Sequence, residues 1–307
     1  MSFLLQTNQL TKAIGGNVLV SDVTMHVRKG EIYGFLGPNG AGKTTVMKMI
    51  LNLWKPTRGT IEIFGQTLTP KSYEVLKHIG SIIEFPTFYD SMTGRENLRL
   101  HCEYMGYYQD DSVSKALEML DLAAAADQTV KSYSLGMKER LGIARAVLCR
   151  PKLLVLDEPA TGLDPAGIRQ VRTLLRGLCA EYGMTILISS HLLSEMESLA
   201  DTIGILHQGR LLKELPMREL TEMNMQYVDL SVTDEKKAAY VLAEKLHLTN
   251  FKIMDHGKIR IYDHGVAPQQ LTSVLAGHQV EIVGIGKKTE TLEDYFLKLT
   301  REVQEHA

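Results

Sequence analysis

The chain is poor in the features that would tie it to a bilayer, an oxidising compartment or a nucleic acid. No uninterrupted apolar run among its 307 residues approaches the roughly 20 needed to span a membrane. The opening residues, MSFLLQTNQLTK, carry no basic stretch ahead of an extended apolar one, so no secretory signal is expected. Cys102, Cys149 and Cys179 are odd in number and widely spaced. They offer neither a disulfide framework nor metal-ligand spacing, and a reducing compartment is expected. Charge is almost balanced, with 34 basic and 36 acidic residues. That excludes the basic footprint of a general nucleic-acid binder, and no nucleic-acid partner is expected. Internal repeats and low-complexity segments are lacking as well.

What is there is an alternation of strand and helix patterns over the first two-thirds. The length suggests about two domains. Val18, Val20, Val23, Met25 and Val27 follow a two-residue period with one slip, as in a bulged strand. EIYGFL, KLLVLDEP and TILISSH read as buried strands, and TIEIFG as a short strand closed by glycine. GKTTVMKMILNLW reads as a helix that ends before Lys55-Pro56. Further helices are expected in SVSKALEMLDL, in SLGMKERLGIARAVLCRP up to Arg150-Pro151, and in DPAGIRQVRTLLRGLCAEYG. The last has an Asp cap, Pro165 in its first turn and Gly183 beyond its end. TIGILHQGRLLKEL reads as a hairpin. Wholly apolar strands separated by helices argue for an α/β sheet covered on both faces. From about residue 217 the order becomes β-α-β-β-α-β, with a hairpin turn at His256-Gly257, which fits a small ferredoxin-like domain. A final helix is expected in TLEDYFLKLTREV.

FLGPNGAGKTTVMKM follows a strand and opens a helix, and matches G-x-x-x-x-G-K-[ST] from Gly37 to Thr44. Gly37, Pro38, Asn39, Gly40, Ala41, Gly42, Lys43, Thr44 and Thr45 are therefore expected to cradle phosphates. Glycine lets backbone N–H groups close around the oxygens, and the helix start adds partial positive charge. Lys43 is expected to reach the β- and γ-phosphates and Thr44 to ligate Mg²⁺. Asp157 and Glu158 end an apolar strand, where parallel sheets place their ligand sites. Asp157 is the candidate second metal-binding acid, and Glu158 the candidate base for the attacking water. His191 ends the next buried strand and is a candidate γ-phosphate contact. Glu84 ends another strand pattern, ahead of Phe85, Pro86, Phe88 and Tyr89. Taken alone it is either a solvated acid or one aimed at a metal or phosphate.

SYSLGMKERLGIARA, shortly before LLVLDEP, resembles the signature segment of the ABC ATPases. P-loop, signature, LLVLDEP, TGLDP and SSH follow one another in that family's order. The resemblance covers roughly Phe3 to Leu215. It implies an ABC cassette over residues 1–216, with a RecA-like core, an antiparallel β subdomain and a helical subdomain at about 86–150. Residues 217–307 would form the accessory α+β domain. It also implies ATP and Mg²⁺ as cofactors, and head-to-tail dimers in which the P-loop of one subunit faces Ser134 and Gly136 of the other. Asp164 resembles the loop that crosses that interface; Glu158 is the implied general base and His191 the switch histidine. Membrane permease subunits are the implied further partners, holding the chain at the cytoplasmic face of a bacterial membrane.

Three positions depart from the pattern. Leu135 stands for the signature's first glycine, Ile14 for the aromatic that stacks on adenine, and Glu84 for a glutamine expected to touch Mg²⁺. Glutamate at that last position, with YSLGMKERLGIARA and TLEDYFLKL, is similar to the ATPases of bacitracin and lantibiotic resistance exporters. The implied function is ATP-driven export of, or protection against, such a peptide. An exporter ATPase for a drug or lipid, or a non-transport ABC ATPase, is the alternative. Phe85, Phe88 and Tyr89, beside Glu84, are either ordinary core or the groove where a permease helix docks.

Overall fold

A computed structural model describes residues 3–109, 111–222, 226–254, 257–263, 267–289 and 295–296. The chain divides into two compact units, Met1–Arg218 and Glu219–Ala307.

In the first unit β1 (Phe3–Ile14) and β2 (Asn17–Arg28) pair antiparallel. The slip in the Val18–Val27 pattern is a register shift in this pair, where Asp22 has a positive φ of 55°. β3 (Ile32–Leu36) is buried along its whole length and leads through a glycine-rich loop into α1 (Lys43–Ile50). That helix is shorter than the sequence suggests: the Leu53 and Trp54 N–H groups both turn back to the Lys48 carbonyl. β4 (Arg58–Ile63) and β5 (Gln66–Thr67) complete a four-stranded sheet of order β2-β1-β4-β5. A single-turn α2 (Tyr73–Leu76) leads to β6 (Ile79–Ile82). The chain is then helical through α3 (Gly94–Met105), α4 (Ser112–Met119) and α5 (Leu135–Val147). β7 (Leu153–Asp157), α6 (Pro165–Tyr182), β8 (Thr185–Ser190) and α7 (Leu193–Leu199) follow, then the hairpin of β9 (Thr202–His207) and β10 (Arg210–Pro216). The second sheet has the order β10-β9-β3-β8-β7-β6; β9, β3, β8, β7 and β6 run parallel and β10 is an antiparallel edge. Phe35, Val155 and Leu187 on the strands share one core with Met47 and Ile50 of α1. This packing holds the C-terminal ends of β3, β7 and β8 at one edge, where the candidate residues lie.

The start of α3 is written in the sequence. Thr93 and Glu96 form a reciprocal capping box, each side chain bonding the other residue's N–H. α6 begins as expected, with Asp164 as cap and Pro165 in its first turn.

After α8 (Met217–Glu222) the second unit runs β11 (Gln226–Val232), α9 (Glu235–Leu246), β12 (Phe251–Met254), β13 (Lys258–Ile261), α10 (Pro268–Gly277) and β14 (Ile282–Thr289). Its antiparallel sheet has the order β12-β13-β11-β14, the ferredoxin-like arrangement. Val228, Leu230 and Val232 pack with Ala238 and Leu242 of α9 and Leu271 and Leu275 of α10. Of the expected turn, Gly257 is present with a φ of 71° and His256 lies outside the described residues. The expected last helix also lies outside them, except for Tyr295 and Phe296, which are helical.

Candidate functional site

The loop between β3 and α1 is shaped by its glycines. A Cβ on Gly37 would strike the Leu206 carbonyl of β9. Gly42 caps α1 at a φ of 104°, where a side chain is strained, and it leaves the first helical N–H groups without a side-chain cap. These groups, with the helix dipole, make an anion cradle. Lys43 Nζ donates to the Gly37 carbonyl at 2.6 Å and the Pro38 carbonyl at 3.2 Å, and lies 3.1 Å from Glu158 Oε1. The ammonium is buried but paired. The loop borders a cavity of about 550 Å³ shared with Val18 and Leu19 of β2 and the Gln208-Gly209 turn.

Asp157 and Ser189 are register partners on β7 and β8. Asp157 accepts from Ser189 Oγ at 2.6 Å and from Thr44 Oγ1 at 2.7 Å. Glu158 follows in a left-handed conformation, φ 50°, which turns its carboxylate back over the loop. Its N–H donates to Ser189 Oγ at 2.9 Å. Its Oε2 accepts from Thr161 Oγ1 at 3.0 Å and meets His191 Nδ1 at 2.8 Å. Burial pushes the Glu158 carboxyl up, but hydrogen bonds with Lys43, Thr161 and His191, and the Lys43 charge, together hold it below the usual carboxylate range. The group is an ionised base fixed at the mouth of the cradle. Thr161 and Ser189 were not singled out from sequence; their roles follow from strand register and from a turn of three residues.

Among the described residues no cluster of three or more His, Cys, Asp or Glu side chains is placed to hold a metal ion. Two hard oxygens do converge, Thr44 Oγ1 and Asp157 Oδ2. That donor set fits magnesium, which keeps most of its shell for water and substrate phosphate. Glu84 lies elsewhere: its Oε1 is 2.6 Å from Lys48 Nζ, with 62% of the side chain exposed. The structure pairs it with Lys48 and does not join it to Thr44 and Asp157. Ile14, at the end of β1, is 48% exposed. Besides Ala41 of the loop itself, the apolar residues lining the cradle's cavity are Val18 and Leu19, on the strand that pairs with β1.

Ser134 caps α5, its Oγ accepting from the Met137 N–H at 3.2 Å. Asp164 caps α6, accepting from the Gly167 N–H at 2.7 Å. Together with Gly136 and Gly162 they line a second cavity of about 410 Å³. Leu135 is 49% exposed and rests against Gly162, so the unexpected leucine ties the start of α5 to the loop before α6. Beside Glu84, Pro86 packs against Gly142 of α5, and Phe88 lies under the Arg145 guanidinium, 4.8 Å from its ring centre. Arg145 also donates to the Thr87 carbonyl at 2.7 Å. The buried Asn97 of α3 brackets Tyr89, accepting from its N–H at 2.9 Å and donating to its carbonyl at 3.1 Å. Phe85 and Tyr89 face outward, Phe85 with 70% of its surface exposed. The segment is therefore half core and half an aromatic surface held in place.

The profile of the family described as ABC transporter matches residues 20–161. The chain is 52% identical to an uncharacterized ABC transporter ATP-binding protein of Bacillus subtilis, YcbN, over 97% of each chain. It is 42% identical to the bacitracin transport ATP-binding protein BcrA of Bacillus licheniformis, over 97% of this chain and 98% of that one. Among solved structures, an ATP-binding subunit of an ABC transporter superposes with a TM-score of 0.65 at 31% identity, covering 72% of this chain and 92% of the other. No helix among the described residues is long and apolar enough to cross a membrane.

Proposed function

The chain belongs to the ABC transporter family of ATP-binding, ATP-hydrolysing proteins, and on that premise we propose that it powers export of, or protection against, an antimicrobial peptide of bacitracin or lantibiotic type. The observation that carries the cargo class is the similarity to BcrA, which runs through both units. ABC ATPases work as dimers with membrane permease subunits; this chain is proposed to sit beneath such permeases at the cytoplasmic face.

In the proposed mechanism the glycine loop and the start of α1 take the phosphates of ATP. Lys43 exchanges its present partners, two loop carbonyls and Glu158, for phosphate oxygens. Glu158, released from Lys43 but still held by Thr161 and His191, accepts the proton of the attacking water. His191 fixes the direction of that carboxylate from the end of β8. Thr44 and Asp157 would hold magnesium, which when bound would supply charge neutralisation on the phosphates. Val18, Leu19 and Ile14 give the adenine an aliphatic surface. Ser134, Gly136 and Asp164 of a second copy close the sandwich.

The cargo is tested by deleting the gene and exposing the strain to a panel of peptide antibiotics. Sensitivity to bacitracin or a lantibiotic is expected, rescued by the wild-type chain and not by Glu158→Gln; unaltered sensitivity across the panel rejects the cargo class. The outward aromatics are the proposed permease contact. Phe85→Ala is expected to weaken co-purification with the permease several-fold without a change in melting temperature, as for a central aromatic contact worth about 1–2 kcal/mol. Phe88→Ala, which strips Arg145 of its ring, is expected to lower the melting temperature as well.

A further inference from the structure

Lys48 follows Thr44 by four residues on α1, so the two side chains leave the same face of the helix. Its ammonium is only partly exposed, 2.6 Å from Glu84 Oε1 and 5.1 Å from the centre of the Trp54 ring. The Trp54 N–H in turn donates to the Lys48 carbonyl at 3.2 Å. Ring and ammonium thus belong to one closure at the end of α1. Glu84 reaches this pair from a left-handed backbone, φ 61°, directly ahead of the aromatic segment. Trp54 is the chain's single tryptophan.

We infer that Lys48 is a positioning residue that holds Glu84 by an ion pair and yields it when magnesium and nucleotide enter, so that the indole of Trp54 reports the exchange. The inference rests on the nucleotide-binding reading of the P-loop. A dication beside Thr44, on the face of α1 that carries Lys48, attracts the Glu84 carboxylate and repels the ammonium. Both forces act to open the pair. By linkage, whatever magnesium must do to open it appears as lost affinity for magnesium, and removing Lys48 returns that affinity. Glu84 directly precedes the Phe85–Tyr89 segment, which α3 and α5 hold in place.

The test is tryptophan emission of the full-length protein with a non-hydrolysable ATP analogue bound, titrated with magnesium and reversed with EDTA. The wild type is expected to change emission on magnesium and to recover on chelation. Lys48→Met, which keeps the aliphatic stem on the ring, is expected to lose that response and to half-saturate at about two- to five-fold lower magnesium, the size of a half-exposed ion pair. Lys12→Met is the control. Lys12 also lies over the Trp54 ring, at 5.7 Å, but bonds the Lys55 carbonyl rather than Glu84, so its variant is expected to keep the magnesium response. Emission in the wild type that ignores magnesium while the analogue stays bound by equilibrium dialysis overturns the latch alone. So does a response that survives in Lys48→Met. Failure of the analogue to bind overturns the nucleotide-site reading, and the latch with it.

Discussion

The two helix starts proposed as phosphate sites in the first unit differ in who brings the charge. At α1 the cap is a glycine, the N–H groups are left open, and Lys43 stands among them with Glu158 and Asp157 close by. At α5 the cap is Ser134, which bonds its own helix; Lys138 pairs with Asp90 at 3.2 Å, and Arg140, which lines the same cavity as Ser134, pairs with Asp121 at 3.3 Å. The acids show the same contrast. Glu158 is held below the usual range by its cation and hydrogen bonds. Glu139, one turn into α5 and 4% exposed, is pushed up to about 7 by burial. The first cradle carries its own charge complement in Lys43; at the second the one cation lining the cavity, Arg140, is already paired with Asp121, so on the proposed reading its phosphate arrives already bound to the other site.

The comparison breaks most sharply at the base. Glu158→Gln keeps the size of the side chain but cannot take a proton. Phosphate release is expected to fall by about 10²- to 10⁴-fold, the usual worth of a positioned general base. ATP binding should persist, and light scattering should show an ATP-dependent dimer accumulating. Turnover at the parent rate removes Glu158 from that role. The second cradle is tested by Ser134→Asp. Aspartate caps a helix as well as serine, so the melting temperature should hold. Its charge opposes an incoming phosphate, and ATP-dependent dimerisation is expected to weaken by about ten-fold or more. Ser134→Ala sharpens the reading: losing the cap costs about 1 kcal/mol and should lower the melting temperature. If Ser134→Asp dimerises as the parent does, α5 is a structural helix start and no phosphate site.

Much of this contrast was legible from residue order. The P-loop, the strands ending in Asp157 and Glu158, the helix capped by Asp164 and the β-α-β-β-α-β order of the second unit are each carried by local signals: glycine placement, a cap, a period. What was not legible depends on pairing across the fold. Ser189 matters because β7 and β8 put it opposite Asp157, some thirty residues earlier in the chain. Lys48 matters because β6 delivers Glu84 to α1. The capping box at Thr93 and Glu96 was there to be read, and a search for apolar periodicity passes over it because α3 turns mostly polar residues outward. Glu84 shows the limit well. Its position in the chain left a solvated acid and a metal or phosphate contact open, the resemblance implied a metal, and the fold shows the partner that neither names, Lys48 at 2.6 Å.

The effect whose change is confined to one range of pH concerns Glu139, buried in the helix that starts at Ser134. Burial raises this carboxyl from its ordinary 4.5 to about 7 in the folded chain. Between those values the native state holds the proton more firmly than the unfolded state does, so stability falls as pH rises through the window and levels off above it. Glu139→Gln is neutral at every pH and escapes that loss. Its melting temperature should lie closest to the parent's below about pH 4.5, exceed it increasingly up to about pH 7, and keep a constant lead beyond. Thermal melts of both proteins at half-unit pH steps check this. A gap that does not change with pH would mean that Glu139 is ionised and partnered in the folded chain. The second cradle would then have charge of its own beneath it, and the division between a site that supplies its charges and one that receives them would no longer hold.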